Sequence, residues 1–379
     1  MEGRIQVFGD PDSTMRARVR ILDSRAFRAG LLHGEVGLGE AFMAGWWETD
    51  DLVSVVRIAV RNMAAFDQGG GLLATLGKAA NRLLHRRRRN HLEGSRRNIG
   101  HHYDLGNDFY KLWLDPTLAY SCAVFESADQ TLEEAQRAKF ELICRKLRLG
   151  PGDHLLEIGT GWGGFALHAV QTRGCRVTTT TISQQQYNYA RSLFEQAGVA
   201  DRIDLRLEDY RHLLGQFDKA VSIEMFEAVG LDFYDTYFQT VDRLLRPGGR
   251  FLLQTITMND RHFPDYIRRS DWIQKYIFPG AELASVSEIL KSLQRCTELN
   301  LHHLEDIGLH YVHTLAAWRV AFRARRDEVR AQGFDETFLR MWDYYLAYCE
   351  GAFAERYIGD AQLLLAKAEG GTTLFNEPW

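Results

Sequence analysis

A chain of 379 residues with 45 % hydrophobic, 25 % charged and 12 % aromatic content is a globular, enzyme-like composition, long enough for one large domain and a smaller one. A net charge of −4 supplies no global field for nucleic acid, and no run approaches the ~20 apolar residues of a membrane span, so any membrane contact is peripheral. The opening MEGRIQVFGDPDS lacks a signal-peptide core, and Cys122, Cys144, Cys175, Cys296 and Cys349 lack CxxC metal spacing, which fits reduced thiols in a cytoplasmic protein without a metal site.

Residues 1–65 read as a small mixed unit. GRIQVFG and RARVRIL alternate in the strand manner, and DLVSVVRIAVRNM has helical spacing. Between them, GEAFMAGWWETDDL sets Trp46 beside Trp47, a pair that suits either core packing or a lipid-facing surface. Residues 66–100 change texture. DQGGGLL is a joint, and NRLLHRRRRNHLEGSRRN holds seven arginines against one acid, Glu93. This stretch is a solvated basic linker or a patch for an anionic membrane, worth about 1 kcal/mol per basic residue near the lipid.

Residues 101–379 alternate helices and strands. TLEEAQRAKFELICRKL opens on a capping box of Thr131 and Glu134 ahead of an amphipathic helix. HLLEIG, CRVTTTTIS, RIDLRLED, KAVSIEMF and RFLLQTIT follow as short apolar strands separated by helical segments. The alternation predicts an α/β doubly wound, largely parallel sheet that binds ligands beyond the carboxyl ends of its strands. After the first strand, HLLEIGTGWGG places Glu157 ahead of Gly159, Gly161, Gly163 and Gly164. A dinucleotide site would want an acid at the end of the second strand, where this chain has TTTTISQQQ. The glycines allow close backbone approach, and Glu157 offers a carboxylate to a cationic or hydroxyl-rich ligand. In RFLLQTITM, Gln254 sits in the middle of a strand that should be buried on both faces, so its amide needs partners.

An acid before G-x-G, the EDY of Glu208–Tyr210 and the RPGG of Arg246–Gly249 resemble class I S-adenosylmethionine-dependent methyltransferases, with their Rossmann-like sheet. HHYDLGNDFYKLWLDPTLAYSCAVFE, SIEMFEAVG, YIFPGAEL and GLHYVHTLAAW narrow this further. Over about 101–365 the chain resembles cyclopropane-fatty-acyl-phospholipid synthases and the related mycolic acid methyltransferases, and its N-terminal unit resembles the extra domain of their longer bacterial members. The resemblance implies carbon transfer from S-adenosylmethionine to the double bond of an unsaturated phospholipid acyl chain, with bound bicarbonate as base. It also implies an enzyme working at the inner membrane surface, and a homodimer would suit the family. An isolated alkene is a poor nucleophile, so such a site must be dry, apolar and well aimed, and it needs a base to complete the reaction.

Carried onto this chain, the resemblance assigns Tyr120, Ser121, Glu157, Gly159 and Gly161 to the cofactor. Thr181, Ile182 and Gln186 replace the usual ribose-binding acid, and Asp209 and Tyr210 flank the adenine. The bicarbonate site comprises Cys122 and Ile256 through their backbone, with Glu227, Tyr311 and the position of Gln254. Two departures stand out. Ala228 stands where the family has histidine in EHVG, and Gln254 stands where LLHTI supplies an anion-binding histidine. A glutamine donates an N–H but carries no charge, so a methyl- or methylene-branched product competes with the ring. A small-molecule N-methyltransferase or a non-catalytic lipid binder on the same fold are the remaining alternatives.

Overall fold

The computed structural model describes residues 5–63 and 105–368. The whole 66–100 linker expected from the sequence, with its basic segment, lies outside the described residues.

The N-terminal unit is a two-stranded antiparallel ribbon, β1 (Val19–Ile21) with β2 (Trp47–Thr49), and two helices, α1 (Arg25–Met43) and α2 (Leu52–Arg61). Asp51 caps α2 by accepting from the Ser54 N–H at 3.0 Å. The strand expected over GRIQVFG is absent: Ile5, Val7 and Phe8 are exposed, and alternation without a neighbouring edge leaves the ladder groups unpaired. Further along, α1 is kinked at Gly34 with φ +57°. A Cβ on Gly39 would lie 2.5 Å from the Trp272 indole, so this glycine lets α1 dock closely. Trp47 is core, its Nε1–H donating to the Leu38 carbonyl at 2.9 Å, whereas Trp46 is half-buried with the Arg25 guanidinium over its ring at 4.5 Å.

The larger part is a seven-stranded sheet in the order β5-β4-β3-β6-β7-β9-β8. In chain order these are β3 (His154–Ile158), β4 (Arg176–Thr181), β5 (Ile203–Leu207), β6 (Phe217–Ile223), β7 (Leu245–Met258), β8 (Asn300–Asp306) and β9 (Ile358–Ala366). The first five pair in parallel, and β9 runs antiparallel between β7 and β8. The five expected strands are all present, and β8 and β9 extend them. The expected capping box opens α3 (Leu132–Leu147), with Thr131 and Glu134 each bonded to the other's backbone N–H. Two long helices near the C-terminus, α4 (His310–Ala324) and α5 (Glu336–Ala354), cover one side. On α5, Arg340 donates to the carbonyls of Phe42 at 2.6 Å and Trp47 at 3.0 Å, tying the N-terminal unit to the body. The residues flanking β6 and β7 at their carboxyl ends open into a cavity of about 980 Å³ that continues between α1, α2 and α5.

Candidate active site

All ten residues expected at the cofactor line this cavity. The glycine turn between β3 and the following helix reaches it because Gly159 (φ +104°), Gly161 (φ +53°) and Gly163 (φ +91°) adopt backbone that L side chains rarely take. Glu157, at the end of β3, is buried, accepts from the Thr179 hydroxyl at 2.5 Å, and is pushed up to about 8 by burial. A cationic group beside it would restore its charge. The Thr181 hydroxyl donates to Gln186 Oε1 at 2.8 Å and accepts from the Ser183 N–H at 3.1 Å, leaving the Gln186 amide N–H groups for a ligand hydroxyl. Asp209 is held below the usual carboxylate range by Arg211, which donates from Nε at 2.8 Å and Nη2 at 2.6 Å. Tyr210 packs edge-on against Tyr237. The Tyr120 and Tyr345 hydroxyls share a 2.8 Å hydrogen bond, and Ser121 Oγ accepts from the buried Lys139 at 2.5 Å. A buried carboxyl, an open glycine turn and amide donors fit S-adenosylmethionine, whose sulfonium supplies an electrophilic methyl carbon. Gly159→Ala is expected to weaken S-adenosylhomocysteine binding at least about tenfold by calorimetry, since its Cβ would lie 3.0 Å from Met225 on a left-handed backbone.

The expected anion site is assembled, but around two carboxylates of the protein. Glu224, directly after β6, is the centre. Its Oε1 accepts from the Cys122 N–H at 2.8 Å and from Gln254 Nε2 at 2.8 Å, and its Oε2 accepts from the Tyr311 hydroxyl. Glu227 takes the rest: its Oε1 accepts from the Ile256 N–H at 2.6 Å and the Thr255 hydroxyl at 2.8 Å, while Oε2 is buried without a partner. Burial, reinforced by the Glu224 charge, pushes Glu227 up to about 7. Bicarbonate does not fit as expected, because three of the four expected donors converge on Glu224 and the fourth, the Ile256 N–H, is held by Glu227. An added anion there would displace Glu224 and face Glu227 and Asp360.

Gln254 is fully buried and its partners are now defined. Its Nε2 also donates to Asp360 Oδ2 at 3.2 Å, and its Oε1 accepts from Gln362 Nε2 at 3.0 Å. Gln362 in turn accepts from Lys146 Nζ at 2.7 Å, which fixes the orientation of both amides. Asp360 lies well above the usual carboxylate range through burial and the Glu224 charge. Burial pulls Lys139 down, opposed chiefly by Glu224. Cys122 is pushed well up by burial, so its thiol is inert and its contribution is the backbone N–H.

Glu224, Asp360, Lys139 and Gln362 were missed by sequence reasoning. Glu224 stood in plain view within SIEMFEAVG, at the carboxyl end of a strand where ligands bind. Lys139 shares the buried stripe of α3 with Ala135, Gln136, Phe140 and Ile143, a position where a lysine needs a reason.

Residues 90–363 match the family model of mycolic acid cyclopropane synthetase. The cyclopropane-fatty-acyl-phospholipid synthase of Escherichia coli (strain K12) is 39% identical over 357 residues, covering 93% of this chain and 88% of that protein. Tuberculostearic acid methyltransferase UfaA1 of Mycobacterium tuberculosis (strain ATCC 25618 / H37Rv) is 36% identical over 363 residues, covering 91% and 82%. Among solved structures, the cyclopropane synthase MmaA2 from Mycobacterium tuberculosis superposes with a TM-score of 0.67 at 33% identity, covering 72% of this chain and 98% of that one. Mycolic acid cyclopropane synthase CmaA1, solved with S-adenosylhomocysteine (SAH) and CTAB, gives the same TM-score at 32% identity and the same coverage. A family-model match over residues 90–363 and 39% identity across 93% of its length place this chain in the mycolic acid cyclopropane synthetase family, and it is an S-adenosylmethionine-dependent methyltransferase.

Proposed function

We propose that the enzyme adds one carbon from S-adenosylmethionine to the cis double bond of an unsaturated acyl chain carried by a membrane phospholipid, and closes it to a cyclopropane. The observation that carries this reading is the single cavity joining the glycine turn to Glu224, Glu227 and an apolar passage lined by Val55, Val56, Ala59 and Val60 of α2. A soluble amine needs no such passage, and an acyl chain does. Its dry walls exclude water from a cationic alkyl centre, and the rings of Tyr120, Phe278 and Tyr311 at the cavity offer π faces to it.

Near the passage, Phe27 and Leu31 of α1 line the cavity while exposed to solvent. Together with the basic 66–100 segment they support a peripheral seat on an anionic membrane surface, with residues 1–65 acting as a lipid-associated unit and 101–379 as the catalytic one. No helix among the described residues is long and apolar enough to cross a membrane.

A second reading, a methyl- or methylene-branched product, is favoured by one observation. Every donor to Glu224 that has been named is electrically neutral, including Gln254 in place of an imidazole. The ring and the methylene branch both lose a proton from the added methyl group, the branch after a hydride shift, whereas a methyl branch keeps that group intact and loses a chain proton instead. Incubation with S-adenosylmethionine and vesicles of oleoyl-containing phospholipid should add one CH2 per double bond. Proton NMR then separates upfield ring signals from downfield vinylidene signals. Transfer to soluble amines with no lipid product would overturn the proposal.

A further inference from the structure

We infer that Glu224 is the built-in base of this enzyme, its side-chain carboxylate standing where the family resemblance expects a bound bicarbonate. The inference rests on the lipid methyl-transfer reading above. Three groups expected to hold the external anion, the Cys122 N–H, the side chain at 254 and the Tyr311 hydroxyl, donate to this one carboxylate. A carboxylate has about four acceptor positions, so three hydrogen bonds orient it and leave capacity for a proton.

The backbone supplies an independent observation. Glu224 has φ +49°, a conformation that glycine takes freely and glutamate takes under strain. Strain of this kind persists where the surroundings over-determine it, and it clusters at functional positions. Here the surroundings are the three donors and the Glu224 N–H, which itself donates to the Gln254 carbonyl at 2.8 Å. The titratable and charged groups around the carboxylate are consistent with its role. Asp360 and Glu227 are pushed up partly by the Glu224 charge, Tyr311 and Cys122 are held in their neutral forms, and the buried Lys139 is the nearby cation.

The chemistry balances without an external anion. The alkene π pair forms the new C–C bond as the S–CH3 bond breaks and its electron pair stays on sulfur, leaving the neighbouring alkene carbon cationic. Glu224 then takes one proton from the added methyl. The released C–H pair closes the third ring bond or, after a hydride shift, forms an exocyclic double bond. Glu224 is left as the neutral acid and returns its proton to water when product leaves.

The test compares wild-type enzyme with Glu224→Gly, a substitution that suits φ +49° and opens the site. SAH affinity and melting temperature serve as controls for folding. Carbon-13 NMR of labelled bicarbonate reports binding, and oleoyl-phosphatidylglycerol vesicles report turnover, each in CO2-free buffer and with bicarbonate restored. The wild type is expected to bind no bicarbonate and to turn over equally in both buffers. The variant is expected to bind bicarbonate saturably, to lose about 100-fold in rate without CO2, and to recover at least about tenfold when bicarbonate or formate is added. Bicarbonate-dependent turnover or saturable bicarbonate binding by the wild type would overturn the inference, as would a variant fully active without CO2. Because the binding arm needs no lipid, a wild type inactive on vesicles would count against the lipid reading alone, while the NMR result still decides whether Glu224 fills the anion position.

Discussion

Glu227→Gln is expected to lower turnover on unsaturated phospholipid about 100-fold while SAH affinity stays within about twofold. The amide keeps an oxygen for the Ile256 N–H and the Thr255 hydroxyl, so the local geometry survives. What it loses is the ability to exchange a proton at a position that titrates near neutrality, at about 7, beside Glu224. Stability offers a second readout with a definite sign. The folded carboxyl holds its proton more tightly than the unfolded one, whose ordinary value is 4.5. Its stabilisation is therefore complete below about pH 4.5 and is lost as pH rises through about 7. The glutamine variant has no such loss, so its melting temperature relative to wild type should climb between pH 5 and pH 8. A pH-independent difference, or near-normal turnover, would remove Glu227 from the site's chemistry.

Gln254→Leu should be the more damaging change to the protein as a whole. Leucine strands the Glu224 and Asp360 carboxyls and the Gln362 amide, each previously bonded to Gln254. Leaving a buried polar group without a partner costs about 1–3 kcal/mol, so the melting temperature should fall by several degrees and turnover by about 100-fold. Gln254→His separates charge from connectivity. An imidazolium can donate to both carboxyls but cannot accept from Gln362, whose orientation is set by Lys146. This variant should fold, keep turnover within about tenfold, and acquire a pH dependence as the ring titrates. Its ratio of ring to branched product, resolved by NMR, should differ from that of wild type. An identical rate, pH profile and product would mean that Gln254 merely substitutes for the imidazole.

Much of this architecture was legible in the chain because it depends on local pattern. The Thr131–Glu134 box, the five parallel strands and the glycine turn are each dictated by residues close in sequence, and all appear. Where neighbours far along the chain decide, the reading fell short. GRIQVFG alternates but has no edge to pair with. The helix Arg25–Met43 was obscured by four glycines, two of which, Gly37 and Gly39, are tolerated because packing requires their small size. The strands β8 and β9 were not recognised, although β9 supplies Gln362 and Asp360.

The sequence by itself determined the fold class and the glycine turn, which short local motifs carry, while its family resemblance pointed to Cys122, Glu227, Gln254, Ile256 and Tyr311 as neighbours. Only the tertiary structure decided what those groups hold. Cys122 precedes α3, Gln254 lies on β7, Tyr311 opens α4, and the carboxylate on which all three converge comes from the end of β6. A hydrogen bond depends on distances of a few ångströms between segments separated by as many as 102 residues, and no periodicity in the chain encodes that.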